Sequence, residues 1–83
     1  MVIRIAGKDV QNAKLLVAGL VGLLGGESVS LGSDAEVQVH LNGQSGEQAI
    51  GQTLGSVERW LEETGIGSTA VWVDDRQYRM DGV

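Results

Sequence analysis

Ser45 to Met80 reads SGEQAIGQTLGSVERWLEETGIGSTAVWVDDRQYRM, an amphipathic helix that runs into a tight hairpin. Ser45-Gly46-Glu47-Gln48 has the spacing of a capping box, in which the Ser hydroxyl and the Gln amide each satisfy a backbone N–H left open by the first helical turn. Ile50, Leu54, Val57 and Leu61 then recur along one helical face. Gly65 suits the left-handed residue that ends a helix, and Ile66 is placed to fold back onto Leu61 as in a Schellman motif. Val71-Trp72-Val73-Asp74 and Gln77-Tyr78-Arg79-Met80 follow as short strands around Asp75-Arg76. All of this concerns fold, and none of it is catalytic chemistry.

Val2 to Ala6 predicts a first strand with Ile3 and Ile5 on one face. Asp9 is a suitable N-cap for a helix in which Val10, Ala13, Val17, Leu20 and Leu24 form a stripe. Leu15, Leu16, Val21 and Leu23 carry apolarity around almost the whole second half, and Gly25-Gly26 ends it. A helix apolar nearly all round is covered on more than one side, and in so small a domain a partner chain is a reasonable cover. Ala18, Gly19 and Gly22 on this helix are expected to allow close packing against the sheet, or alternatively close contact with a second molecule. Ser28 to Leu31 predicts a short strand and Gly32-Ser33-Asp34 a turn. Ala35 to Leu41 alternates cleanly, with Ala35, Val37, Val39 and Leu41 inward and Glu36, Gln38 and His40 outward. Asn42-Gly43 then turns the chain into the second helix.

The resulting order, β-α-β-β-α-β-β, predicts one α+β domain over residues 1–83, a two-layer sandwich. Two helices would cover one face of a mainly antiparallel or mixed sheet. A ferredoxin-like plait with an added terminal strand fits this order, although the order of strands in the sheet is not set by it.

Eighty-three residues bury roughly 60–65% of the surface that the unfolded chain exposes, so a stability of only several kcal/mol is expected. Without cysteine neither a disulfide framework nor a thiolate metal site is available, which fits a cytoplasmic protein. Met1 to Ile5 lacks the basic and apolar regions of a secretory signal. The uncharged run Leu15–Leu24 is half the length of about 20 residues that a membrane span needs. Eleven acidic against six basic residues give a net charge of −5, which repels a phosphate backbone and argues against direct nucleic-acid binding.

Few residues bear chemistry. His40, the only histidine, has no evident orienting carboxylate or nucleophile and reads as a solvent-facing strand residue. Asp74 and Asp75 beside Arg76 could hold Mg²⁺, but Asp is also a preferred turn residue, and the turn is the simpler expectation. Glu58, Glu62 and Glu63 form an acidic patch late in the second helix, where Glu62 and Glu63 oppose the negative end of the helix dipole; the patch suits a basic partner or plain solvation. Gly22–Glu27 lacks the Lys-Ser/Thr of a phosphate-binding loop, and Gly65–Ser68 has no basic residue and does not lie between two helices as a nucleic-acid-clamping loop does. No catalytic residue, metal ligand or cofactor is therefore expected. Of the three aromatic residues, one of Trp60 and Trp72 is expected in the core and the other at an interface. Trp72 is set to face outward from the hairpin, and with Tyr78, Asp74, Asp75 and Arg76 it makes up the expected contact surface.

Trp60-Leu61 followed by Val71-Trp72-Val73-Asp74-Asp75-Arg76-Gln77-Tyr78-Arg79-Met80-Asp81 resembles the effector-associated constant components of bacterial conflict systems. These are small domains with a helix ending in Trp-Leu, a strand, an Asp-x-Arg-like turn and a closing strand. The resemblance covers the last third of the chain; Leu15 to Leu24 departs from it. It implies a non-enzymatic adaptor in bacterial defence, with no catalytic residues to carry over. The expected function is thus a protein-interaction module that recruits or regulates an effector. Self-association through the Leu15–Leu24 helix or a sheet edge is a further expectation. The alternative is a small acidic phage-type inhibitor that occludes the basic nucleic-acid-binding surface of a host defence protein.

Overall fold

A computed structural model describes residues 1–41 and 46–81. Ser45 of the expected capping box and the Asn42-Gly43 turn lie outside them. The elements are β1 (Val2–Ala6), α1 (Val10–Leu24), β2 (Val29–Leu31), β3 (Glu36–His40), α2 (Gly46–Thr64), β4 (Ser68–Val73) and β5 (Arg76–Asp81), with a one-turn 3₁₀ segment at Ser33–Ala35. The order is the expected one.

The strands form one antiparallel sheet ordered β2-β3-β1-β4-β5. The first four stand in the split arrangement of a ferredoxin-like plait, and β5 is appended beside β4. Period-2 alternation divides the sheet's faces. Ile3, Ile5, Val37, Val39 and Val71 are fully buried under the helices, together with Leu16, Leu20, Val57 and Leu61 from the helix layer. The alternate residues Arg4, Gln38 and Trp72 lie on the opposite face, which no helix covers.

Local chemistry explains the ends of the elements. Asp9 caps α1 by accepting the Asn12 backbone N–H at 2.8 Å. Gly65 takes φ 73° after α2, the left-handed conformation that glycine adopts without strain. Gly7 is buried where β1 turns into α1. A Cβ there would stand 2.5 Å from the Ala35 carbonyl oxygen and 2.6 Å from the Ala13 Cβ, so only glycine fits.

Three expectations need correction. The hairpin loop is Asp74–Asp75, because Val73 pairs with Arg76, which already belongs to β5. Asp74 is held in the loop at φ 54° by bonds to β1: its N–H donates to the Val2 carbonyl at 2.8 Å and its carboxylate accepts the Val2 N–H at 3.0 Å. Val10 is 54% exposed, and α1 instead buries Ala13, Leu16 and Leu20, because its inward face is turned toward Leu16. Finally, Gly19 and Gly22 do not pack closely on the sheet. Both are exposed, and a Cβ on either would meet nothing within 4 Å.

Candidate interaction surfaces

The aromatic residues divide as expected between core and surface. Trp60 is buried between the helices, and its indole N–H donates to the Asn12 carbonyl at 2.8 Å, which gives the polar edge of the ring a partner. Trp72 is half-buried on the uncovered sheet face, and the Arg4 guanidinium stands over its ring, 5.3 Å from the centroid. Arg4 and Trp72 are direct cross-strand neighbours. The ring is therefore stiffened by its own sheet before any partner arrives.

Tyr78 pairs with Val71 in the ladder and so lies on the helix side of β5, yet it is 49% exposed because the helix layer does not reach that far. Asp75 and Arg76 are exposed beside the loop, while the Asp74 carboxylate is committed to Val2. Glu58 and Glu62 are exposed on the outer side of α2. Glu63, by contrast, lines the groove between the helices together with Arg59. The expected contact residues are thus not brought together: Trp72 and Tyr78 lie on opposite faces of the hairpin, Asp74 to Arg76 at its tip, and Glu63 is apart from Glu58 and Glu62 on α2. Among the described residues no cluster of three or more His, Cys, Asp or Glu side chains could hold a metal ion. His40 is exposed on the uncovered face opposite Val2.

The two edges of the sheet are unequal. β2 offers three residues, too few to template a long partner strand, whereas β5 offers six. In an antiparallel ladder closed by a two-residue loop, hydrogen-bonded and non-hydrogen-bonded pairs alternate. Counting from the Val73–Arg76 pair, Gln77, Arg79 and Asp81 turn their backbone N–H and C=O groups away from β4. A shallow hollow of about 560 Å³ lies alongside, and its two charged lining residues, Lys8 and Arg79, are both positive. Arg79 also pairs with Asp81 at 2.8 Å. Both side chains are largely in water, so that pair contributes little to stability.

The second surface lies on the helix layer. Leu15, Leu16, Gly19, Gly22 and Leu23 of α1 face Ser56, Arg59, Trp60, Glu63 and Thr64 of α2 across a groove of about 520 Å³. Leu15 and Leu23 remain 59% and 55% exposed there.

Gln77 and Arg79 on the β5 edge, and Arg59 in the groove, were not among the residues expected from sequence. The i, i+4, i+7 spacing of Leu15, Gly19 and Gly22 carries the signal for the groove. No protein-family model matches the chain, and no curated protein or solved structure matches it either.

Proposed function

We propose that the chain is a non-enzymatic protein-interaction module, an adaptor or regulatory component that accepts a strand of a larger protein along β5 in the cytoplasm. The observation that carries this is the six-residue edge of β5, which ends the sheet and turns the backbone groups of Gln77, Arg79 and Asp81 outward. Main-chain bonds to such an edge supply affinity, and neighbouring side chains supply selectivity. Tyr78 and the Lys8–Arg79 hollow are the neighbours, and the two cations favour a partner strand that carries a carboxylate. The resemblance of the C-terminal third to effector-associated constant components supports a partner drawn from bacterial defence effectors.

The experiment is affinity capture from the source cell, followed by hydrogen exchange on the captured complex. The amides of Gln77, Arg79 and Asp81 become protected in the complex. Gln77→Pro, at a position whose N–H is not used inside the protein, releases the partner while the domain stays folded. Capture persists in 1 M salt, where the screening length is about 3 Å. A partner that Gln77→Pro retains, with those amides unprotected, overturns strand addition. A partner lost at high salt and on neutralising Glu58, Glu62 and Glu63 would instead identify an acidic inhibitor.

A further inference from the structure

Given the reading of β5 as an accepting edge, its two faces dictate what the accepted strand must carry. Toward the helix side β5 presents Tyr78 and Met80, opposite Val71 and Thr69 in the ladder. On the uncovered face it presents Gln77, Arg79 and Asp81. Gln77, Arg79 and Asp81 also turn their backbone groups outward, so in a new antiparallel ladder they form the hydrogen-bonded pairs. Tyr78 and Met80 then form the non-hydrogen-bonded pairs, whose Cα atoms stand only about 4.5 Å apart. Side chains meet most closely there. Tyr78 is 49% exposed and Met80 half-buried, so what meets them must be apolar.

Charge sets the other face. The bond from Arg79 to Asp81 runs through Nε at 2.8 Å, which leaves the terminal Nη groups of a guanidinium that is 76% exposed for a second carboxylate. Lys8 lines the adjoining hollow together with Arg79. Two cations against one anion leave this side of the edge positive, on a chain whose net charge is −5.

We propose that the accepted strand runs antiparallel to β5 and carries an aspartate or glutamate facing Arg79. Apolar residues flank that acid, facing Tyr78 and Met80, and a neutral or basic residue faces Asp81. A strand with a basic residue at the acidic position is opposed by Arg79 and Lys8. A second copy of β5 lacks the code. Its two longest in-phase antiparallel registers set Arg79 against Arg79 or against Gln77, never against a carboxylate.

The probe is acetyl-Lys-Val-Glu-Val-Thr-amide, whose residues face Asp81, Met80, Arg79, Tyr78 and Gln77 in turn. So short a strand binds weakly, and nuclear magnetic resonance follows the backbone amides of the whole chain to about 5 mM peptide. The amides of Gln77, Arg79 and Asp81 shift as they take up hydrogen bonds. Lysine in place of the central glutamate weakens binding about 2- to 30-fold, the swing between an attractive and a repulsive cross-strand pair. Serine in place of both valines also weakens it. Arg79→Glu, at an exposed edge position, reverses the order so that the lysine peptide binds more tightly; a merely structural role for Arg79 would weaken both alike. Glutamate and lysine peptides that shift the same amides with equal affinity overturn the acidic code and leave strand addition standing. Peptides that leave those amides unmoved whatever their charge overturn both. Amides of β5 that shift with protein concentration alone would make a second copy the occupant, and also overturn the proposal.

Discussion

Replacing Gly19 and Gly22 by alanine should stabilise the protomer, although both glycines lie in the middle of a helix in a domain of marginal stability. Each substitution relieves the entropic penalty of a helical glycine, about 0.8–1 kcal/mol. Neither adds a clash, since a Cβ at either position meets nothing within 4 Å. The pair should therefore contribute roughly 1.6–2 kcal/mol, a large share of the ~4–12 kcal/mol expected for a domain of this size. At about 4–8 °C per kcal/mol, the double variant melts about 6–16 °C above the wild type. The measurement is a circular-dichroism melt at a protein concentration of about 5 µM, repeated tenfold higher to show that the shift does not depend on concentration. Gly7→Ala is the counterpart with opposite sign. Its Cβ would meet the Ala35 carbonyl oxygen at 2.5 Å, and overpacking of this kind costs about 1–3 kcal/mol. A fall in melting temperature for Gly19→Ala and Gly22→Ala would refute the reasoning, because it would mean that α1 packs closely on something through those positions within one protomer.

Adjacent leucines on α1 should behave very differently in urea denaturation: Leu16→Ala removes a side chain that is 1% exposed and costs about 2–5 kcal/mol, whereas Leu15→Ala, at 59% exposure, changes the unfolding free energy by less than about 0.5 kcal/mol. Trp60→Phe keeps an aromatic ring but leaves the Asn12 carbonyl without its indole donor, a loss of about 0.5–1.5 kcal/mol measured by chemical denaturation. In that variant Trp72 is the one tryptophan, so tryptophan emission reports directly on the half-buried ring beside Arg4. Asp74→Ala removes the acceptor of the Val2 N–H and places a β-carbon residue without local hydrogen bonding at φ 54°; it should cost about 1 kcal/mol and raise the exchange rate of the Val2 amide.

The layers of the fold were legible where one face of an element differs sharply from the other. Ala35 to Leu41 shows this best: its alternation put four residues inward, and all four are buried. Strand order was not legible, because the placement of β1 between β3 and β4 rests on contacts between residues distant in sequence. On α1 apolar residues surround the helix, so pattern could not choose between Val10 and Leu16 for the core. The glycines show a second limit. Gly7 and Gly22 are the same letter, yet one is enclosed on all sides and the other is open, a difference that only tertiary structure creates. Local sequence sets the hairpin loop one residue too late, because what fixes Asp74 in the loop is Val2, far away in sequence. For the candidate surfaces, sequence pointed to exposed aromatic and charged side chains. The free backbone of Gln77 and Arg79 carries no compositional mark and emerges only from ladder register.

The central position of β1 also governs how the chain is made. Ile3 pairs with Val39 on one side and Val73 on the other, so β1, made before either neighbour, is fully paired only after β4 has followed. Such non-local pairing slows folding relative to helical proteins, because long loops must close before any contact rewards them. Before β3 and β4 have been made, Val2-Ile3-Arg4-Ile5-Ala6 has neither of its neighbours, and a single charge at Arg4 interrupts its apolar run. Arg4, whose guanidinium stands over Trp72 in the fold, is thus also the one charge within this run, of the kind that makes strand segments less prone to aggregate.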